Sequence, residues 1–262
     1  MHTQMIFLAA ISVVHSFSQP STPLSLAARL KASAHPLSKT PKKHLRHLEG
    51  SPGVRISPLE YGADPLGVKD SSDALTQCIQ ACWNYSVILD PLGHFPGDDS
   101  FKNGEYIRNA GGCEIDLGGG EYLLSKPVII PEYLGNLRIG HGSLVADEEN
   151  FPTDSFLLVV GVKGSCNVPQ GSCNVDLGFP ELFFDGRHVA SALQINNVMG
   201  TTVGPGSYFL NFTQYGMQVN GGHEVMMNEC WLGETNFDYP FTQNNPPTSV
   251  AIQINVRCSP PP

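Results

Sequence analysis

The chain has 262 residues, of which 41% are hydrophobic and only 15% are charged, and its formal net charge is −9. It contains 27 glycines and 21 prolines, a composition that disfavours helical bundles and coiled coils, which are rich in Ala, Glu, Lys and Leu. The hydrophobic content is too high for a wholly disordered chain. Low charge combined with many turn-forming residues favours an all-β domain of many short strands.

Charge is distributed unevenly along the chain. The first 50 residues hold six Lys or Arg and one Glu, whereas the rest hold nine basic and 23 acidic residues. An acidic body argues against binding to the phosphate backbone of nucleic acids, so we expect no nucleic-acid partner. The same acidity opposes the binding of any polyanion unless a local cluster of Lys or Arg forms.

The N-terminal segment is typical of a secretory signal. An apolar run, Met5–Val14, is followed by small residues around Ser16–Ser18, and this run is too short to span a membrane. We therefore predict a signal peptide at residues 1–18 and a secreted, extracellular or cell-wall location without a membrane partner. Residues 19–50 combine Pro, Ser, Lys and His without a sustained period, which predicts a disordered linker.

The seven cysteines fit an oxidising compartment, and none of them forms a C-x-x-C pair, so we expect no metal site. Cys78 and Cys82 lie one helical turn apart and are expected to face other partners, such as Cys113. Two sequons, beginning at Asn84 and Asn211, permit N-glycosylation.

The folded body is predicted to begin with a strand, a loop, a helix and a second loop. A strand is expected at Val54–Ile56, and the stretch Glu60–Asp70, dense in Gly, Pro and Asp, predicts a loop. Residues 74–83 predict an amphipathic helix, and residues 90–112 predict a loop insertion. The buried face of the helix recurs at i, i+3, i+4 and i+7 and comprises Leu75, Cys78, Ile79 and Cys82.

Beyond residue 112 the pattern changes to short strands separated by turns. Each candidate is about three to five residues long, which is short even for a strand. The candidates are Glu114–Leu117, Val128–Ile130, Leu137–Ile139, Phe156–Val160, Leu182–Phe184, Leu193–Ile195, Thr201–Val203, Met217–Val219, Val225–Met227 and Ala251–Ile254.

An internal repeat is the most informative feature of the sequence. Leu193-Gln194-Ile195-Asn196 recurs 24 residues later as Met217-Gln218-Val219-Asn220 and 35 residues after that as Ile252-Gln253-Ile254-Asn255. A period in the twenties with short strands is typical of a β-solenoid. Side chains alternate along a strand, so the apolar residues point into the core and the glutamines form an outward row. The asparagines lie where each strand turns, and there each is expected to bond its copy in the next coil.

The N-terminal part of the body resembles the cap of a known superfamily. The segments Tyr61–Pro65 and Asp70–Leu75, followed by a helix, are similar to the N-terminal cap of the pectate-lyase-like superfamily, which includes polygalacturonases and rhamnogalacturonases. The segment Ile115–Tyr122 resembles the first full coil of that superfamily.

A second stretch is more specific. Tyr215–Glu224, continuing to Cys230–Glu234, is similar to plant polygalacturonases of the QUARTET3 type. The resemblance as a whole extends over about residues 54–258. It implies a right-handed parallel β-helix with one N-terminal capping helix, occupying residues 51–262 and incomplete at its C-terminus. It also implies hydrolysis of galacturonan, the backbone of pectin, by paired carboxylates and without a cofactor.

Two places carry candidate site residues. Asp185 follows a strand, and Arg187, two residues later, is suited to hold Asp185 ionised or to bind a substrate carboxylate. Glu224 lies in the Gly-Gly-His-Glu stretch. Asp185 and Glu224 are therefore the predicted catalytic pair. The predicted substrate-binding residues are Arg187, Gln218, His223 and Glu234.

An alternative remains a catalytically inactive β-helix that binds a wall polysaccharide. The polygalacturonase motifs occur here out of their usual order, as Asp98-Asp99, Gly140-His141-Gly142 and Asn174-Val175-Asp176, and we interpret the second of these as a turn between strands. A polysaccharide lyase would need a calcium site of clustered acids, and the sequence contains no such cluster. The pattern indicates nothing about the oligomeric state.

Overall fold

A computed structural model describes residues 53–88, 107–161, 173–222, 224–233 and 249–255. Within these ranges short parallel strands predominate, with one α-helix, α1 (Ser72–Tyr85), and one 3₁₀ turn, Pro58–Tyr61. The strands are, in chain order, β1 (Arg55–Ile56), β2 (Leu66–Asp70), β3 (Val87–Ile88), β4 (Arg108–Asp116), β5 (Glu121–Leu124), β6 (Val128–Ile130), β7 (Leu134–Gly140), β8 (Gly142–Ala146), β9 (Phe156–Val160), β10 (Asn174–Phe179), β11 (Leu182–Asp185), β12 (Ser191–Met199), β13 (Thr201–Val203), β14 (Ser207–Leu210), β15 (Tyr215–Gly222), β16 (Val225–Met227), β17 (Cys230–Gly233) and β18 (Val250–Asn255).

All the strands except β3, which pairs antiparallel with β4, form three faces that the chain visits in turn. Face 1 contains β1, β4, β7, β10, β13 and β16; face 2 contains β2, β5, β8, β11, β14 and β17; and face 3 contains β6, β9, β12, β15 and β18. On each face every strand pairs in parallel with its equivalents in the preceding and following coils, which lie about 4.8 Å apart. The predicted all-β parallel β-helix with one N-terminal helix is therefore confirmed.

The core is built from rows of inward side chains on each face. Every second side chain of a strand points inward, and the register aligns these side chains from coil to coil. One such row on face 2 consists of Tyr122, Leu144, Phe184 and Phe209, all at most 1% exposed. Phe184 and Phe209 stack with ring centroids 5.0 Å apart, so the interior is held by ring contacts as well as by burial of apolar area.

The predicted glutamine and asparagine rows are both present on face 3. Gln194, Gln218 and Gln253 are in register, and their side chains donate hydrogen bonds in sequence, at 2.8 Å and 2.6 Å. The asparagine row lies at the corner between faces 3 and 1. There β12 continues past the corner, and its Val198 pairs with face 1 at Asn174.

Helix α1 packs against β4 and β6 and buries the four residues predicted for its inner face. The carboxylate of Asp70 accepts hydrogen bonds from the Ser72 amide (3.0 Å) and hydroxyl (2.6 Å) at the start of the helix. It also accepts one from the hydroxyl of Ser125, at 2.7 Å. A single side chain thus satisfies the first amide of α1 and ties the helix to the coil containing β5 and β6.

A disulfide joins Cys82 of α1 to Cys113 of β4, the partner suggested by the sequence. Cys173 is also disulfide-bonded. Cys78 is a free, buried thiol, and burial raises its pKa to about 12.

Two segments differ from the sequence prediction. Leu66–Asp70, expected as a loop, is strand β2, because it pairs with β5 as the first strand of face 2. The expected loop insertion at 90–112 ends earlier than predicted, because residues from Arg108 onward belong to β4 and pair with β7. The predicted signal peptide at 1–18 and linker at 19–50 lie outside the described residues.

Candidate functional site

The predicted site residues that the structure describes lie at three different places on the β-helix. Asp185 ends β11 and Arg187 follows it, at the corner between faces 2 and 3. Gln218 lies in the middle of β15 on face 3. Glu224 directly precedes β16, at the corner between faces 3 and 1. The two remaining candidates, His223 and Glu234, lie outside the described residues.

Asp185 is oriented by its own turn and by the next coil. Its Oδ1 accepts a hydrogen bond from the backbone amide of Arg187 at 3.0 Å and one from Nδ2 of Asn211 at 2.9 Å. Within the described part of the chain its Oδ2 accepts no hydrogen bond. Among the described residues the half-buried carboxylate is therefore held through one oxygen only.

Arg187 reaches from the corner back over face 2. Its Nη2 lies 3.3 Å from Oε1 of Glu121, the first residue of β5, which is two rungs away on face 2. Two rungs correspond to about 9.6 Å along the β-helix axis. Face 2 therefore carries two carboxylates, Asp185 and Glu121. Glu121 is in register with Phe183, two residues before Asp185, so the two carboxylates are offset along the strands as well as by two rungs along the axis.

Glu224 is exposed, and its backbone carbonyl accepts a hydrogen bond from the Thr201 amide at 2.8 Å. It lies at the end of the coil that follows the one containing Asp185, and at a different corner. The structure therefore does not bring Asp185 and Glu224 into one groove.

The side chain of Gln218 uses its hydrogen-bonding groups within the glutamine row. It is 6% exposed. Its Oε1 accepts from Gln194 and from Asn220, and its Nε2 donates to Gln253. With both polar atoms engaged inside the protein, the side chain holds successive coils together.

An aromatic row on face 2 was not foreseen from the sequence. We define it as Phe183, Tyr208 and Trp231, which occupy equivalent positions in β11, β14 and β17. The three residues are 37%, 38% and 37% exposed. Phe183 stacks on Tyr208 with centroids 4.6 Å apart and planes 6° apart, and Trp231 follows at 6.3 Å and 32°. Asp185 is two residues beyond Phe183, on the same outward side of β11.

A second polar cluster occupies the corner between faces 1 and 2. The His141 ring lies between Glu114 and Glu181, with N–O distances of 3.1 Å and 3.2 Å. Arg55 contacts Glu114 at 3.1 Å and Asp116 at 3.3 Å. The hydrogen bond from Arg55, reinforced by His141, lowers the pKa of Glu114. This cluster joins several coils at Gly140–Gly142, which links β7 to β8 as the turn that the sequence predicted.

The described residues include no group of three or more His, Cys, Asp or Glu side chains arranged to hold a metal ion. In the same ranges no helix has the length and apolar character needed to cross a bilayer.

These features define a parallel β-helix protein with one polar and aromatic face open to solvent. The chain resembles Polygalacturonase QRT3 of Arabidopsis thaliana, with 29% identity over 189 residues. The match covers 70% of this chain but only 35% of that protein, so this chain spans about a third of the length of its curated relative. The predicted resemblance to plant polygalacturonases is thereby confirmed. No family model matches the chain.

Two solved structures are also similar. PfbA, a surface adhesin of Streptococcus pneumoniae, gives a TM-score of 0.46 at 14% identity, covering 78% of this chain and 43% of the adhesin. ORF18 of Geobacillus virus E2 gives a TM-score of 0.44 at 13% identity, covering 66% and 30%.

Proposed function

We propose that this chain is a secreted, polygalacturonase-like protein that acts on galacturonan in the cell wall. The observation that carries the proposal is its 29% identity to Polygalacturonase QRT3 on a β-helix whose face 2 presents an oriented carboxylate. In this proposal Asp185 is the base that activates the attacking water. Its Oδ1 is held by Asn211 and by the amide of Arg187, and Oδ2 takes the proton.

Hydrolysis also needs a group that protonates the leaving glycosidic oxygen. Glu224, the partner predicted from the sequence, is at another corner, whereas Glu121 shares face 2 with Asp185. Arg187 lies beside Glu121 and is suited to bind a sugar carboxylate if that pair opens. We therefore propose Glu121 as the proton donor, which takes up a proton once substrate draws Arg187 away and then passes it to the leaving oxygen, and retain Glu224 as a position to be tested.

The experiment measures reducing ends released from polygalacturonate and from methyl-esterified galacturonan. We expect release by the native chain and a loss of about a hundredfold or more in Asp185→Asn and Glu121→Gln, the usual contribution of acid–base groups. Glu148→Gln, an exposed carboxylate on the turn after β8, is the matched control and keeps full activity. Glu224→Gln distinguishes the two candidate proton donors. If Glu224→Gln loses activity and Glu121→Gln does not, the proton donor is Glu224.

A second candidate function is galacturonan binding without hydrolysis. One observation favours it. Glu121 forms an ion pair with the Arg187 guanidinium at 3.3 Å, so of the two face 2 carboxylates only Asp185 is not paired with that cation, whereas hydrolysis needs two carboxyl groups. No release by a folded sample that still binds either polymer supports this function. Neither release nor binding rejects galacturonan as the ligand.

Secretion is part of the same proposal and has its own test. Expression of the full chain in a eukaryotic secretory host is expected to yield a medium-borne protein whose N-terminus follows residue 18. Retention inside the cell with an intact N-terminal segment contradicts it.

A further inference from the structure

Arg138 on the outer surface of face 1 is a cation without a partner among the described residues. Its neighbour in the preceding coil is Glu114, which is in register with it on β4 and would be its natural cross-strand ion pair. Both oxygens of Glu114, however, accept hydrogen bonds from Arg55, at 3.1 Å and 3.2 Å, and Oε1 also lies 3.1 Å from the His141 ring. The carboxylate nearest in register to Arg138 is therefore already used.

The side chain of Arg138 extends over the following coil instead. The residue in register there is Gly178 of β10. A Cβ added at Gly178 would lie 3.1 Å from Cγ of Arg138 and 3.6 Å from its Cδ and Nε. The absent side chain thus gives the arginine stem a place against the backbone. Because the stem is packed, less conformational freedom is lost when the guanidinium binds an anion.

The outer surface of face 1 is low beyond Arg138. The next positions of its row are Gly178 and Thr202, and the adjoining row, at the corner between faces 3 and 1, contains Asp176 and Gly200. Apart from its chain neighbours, the described residues place only backbone atoms of Asp176 within 4 Å of a Cβ added at Gly200, at 3.6 Å and 3.8 Å. These five residues form a shallow depression, which we call the face 1 depression.

Three different hydrogen-bonding side chains border the face 1 depression. The guanidinium of Arg138 only donates, the ionised carboxylate of the exposed Asp176 only accepts, and the hydroxyl of Thr202 does both. Within the described ranges none of the three side chains has a hydrogen bond or an ion pair. A ligand with one carboxylate and several hydroxyls matches this set, because its carboxylate pairs with the guanidinium and its hydroxyls donate to Asp176. A second ligand carboxylate beside Asp176 would be repelled.

We propose that the face 1 depression binds one galacturonate residue of a partly methyl-esterified galacturonan. Its carboxylate pairs with Arg138, its hydroxyls bond to Asp176 and Thr202, and the esters on neighbouring sugars keep further negative charge away from Asp176. The inference rests on the proposed function for the identity of the polymer. It goes beyond that function by adding a binding surface on face 1, whereas the groups proposed for hydrolysis are on face 2.

Modification of arginines by phenylglyoxal, followed by peptide mapping, measures each arginine separately. In the free protein we expect Arg138 to react faster than Arg187, which is paired with Glu121, and slower reaction of Arg138 contradicts its unpaired state. Partly esterified galacturonan at about ten times its dissociation constant is expected to slow the modification of Arg138 about tenfold. The fully esterified polymer, which has no carboxylate, is the matched control. Equal protection of Arg138 by the two polymers overturns the carboxylate assignment.

Variants test the depression itself, with affinity for the partly esterified polymer measured by calorimetry in an Arg187→Gln background. We expect Arg138→Gln to bind about tenfold or more weakly, the usual effect of losing a hydrogen bond to a charged group, and Arg138→Lys to lie between the two. Gly178→Val keeps every polar group but displaces the arginine stem, so it is also expected to weaken binding. The control is Lys69→Gln, at an exposed cation on β2, and it leaves the affinity unchanged. Unchanged affinity in folded Arg138→Gln, or an equal loss in Lys69→Gln, overturns the proposal.

The labelling outcomes separate this inference from the proposed function. Protection of Arg187 alone overturns the face 1 depression and leaves binding at face 2 intact. Protection of Arg138 alone supports the depression and contradicts binding at face 2. Protection of neither arginine overturns both together. Circular dichroism and the thermal midpoint establish that each variant is folded.

Discussion

Asn220 donates a hydrogen bond from Nδ2 to Oδ1 of Asn196, 2.9 Å away, at the corner where two coils leave face 3. Asn196 in turn donates to the carbonyl of Val160 at 3.0 Å, and Asn255 donates to Asn220 at 2.7 Å. Asn196 is fully buried. The row therefore supplies partners to polar groups that water does not reach, and it fixes the register of neighbouring coils.

Replacing Asn196 by Ala leaves the Val160 carbonyl and one bond of Asn220 unsatisfied. We expect a loss of about 1–3 kcal/mol in the free energy of unfolding, the usual cost of an orphaned buried polar group, measured by urea denaturation. Asn84→Ala removes an exposed asparagine bonded to Gln80 and is expected to change stability by less than about 0.5 kcal/mol. Equal effects at the two positions contradict the role assigned to the row.

The disulfide between Cys82 and Cys113 is expected to be a main restraint on α1. It closes a loop with a sequence separation of 31 residues, for which chain entropy predicts about 3–4 kcal/mol of stabilisation. The double replacement Cys82→Ala and Cys113→Ala is therefore expected to lower the thermal midpoint strongly. Cys230→Ser, at a free and only partly buried thiol, is the control. A midpoint no lower than that of this control rejects the prediction.

Acid is expected to weaken the corner cluster around Glu114. The hydrogen bond from Arg55 lowers the pKa of Glu114 below its ordinary value of 4.5. The ionised form is thus favoured in the folded state, so its contribution is complete above that ordinary value and is lost as pH falls through the lower folded value. Thermal midpoints measured between about pH 6 and pH 3 should fall more steeply for the native chain than for Glu114→Gln.

Arg55→Gln supplies the matched comparison, because it removes the guanidinium while leaving the carboxylate. Its pH profile should approach that of Glu114→Gln. The effect is modest, since Arg55 is largely exposed and exposed ion pairs contribute about 1 kcal/mol or less. Parallel profiles for the native chain and both variants would show that the pair does not stabilise the fold.

The two sequons differ in the folded protein. Asn84 is exposed on α1, whereas Asn211 is 9% exposed and its Nδ2 donates to Asp185. A glycan on Nδ2 of Asn211 would displace this contact. We expect peptide mapping of folded, secreted protein to find glycan at Asn84 and an unmodified Asn211. A fully occupied Asn211 in folded protein contradicts the described packing of this corner.

The sequence predicted faces 1 and 3 better than face 2, and the reason is physical. On face 3 the strands alternate apolar and polar residues, so Leu193-Gln194-Ile195 and its copies showed both the strands and their register. On face 2 the outward positions of β11, β14 and β17 are aromatic. Period-two alternation is lost when both sides of a strand are apolar, so β14 and β17 were missed and the aromatic row with them, although the apolar run in β11 was predicted. The strands β5 and β8 were also missed, although they carry Glu121 and Ser143 on their outward side.

The candidate site was predictable only where its residues are close in sequence. Asp185 and Arg187 share one turn, and their proximity followed from the sequence alone. Glu121 contacts Arg187 across 66 residues, and the sequence contains no repeat that links these two positions. Glu224 was chosen for its motif, which says nothing about which corner of a coil it occupies.

The glutamine and asparagine rows also give successive coils nearly the same hydrogen-bonding edges. Every row member presents the same amide donor and acceptor to the coil above and to the coil below, so a tandem copy of the 24-residue unit that separates Gln194 from Gln218 would find matching partners on both sides. Such an insertion would lengthen the molecule by one rung, about 4.8 Å, and would add one position to the outer surface of every face. The outer surface of this fold can therefore be enlarged one coil at a time, without changes to the residues of the core.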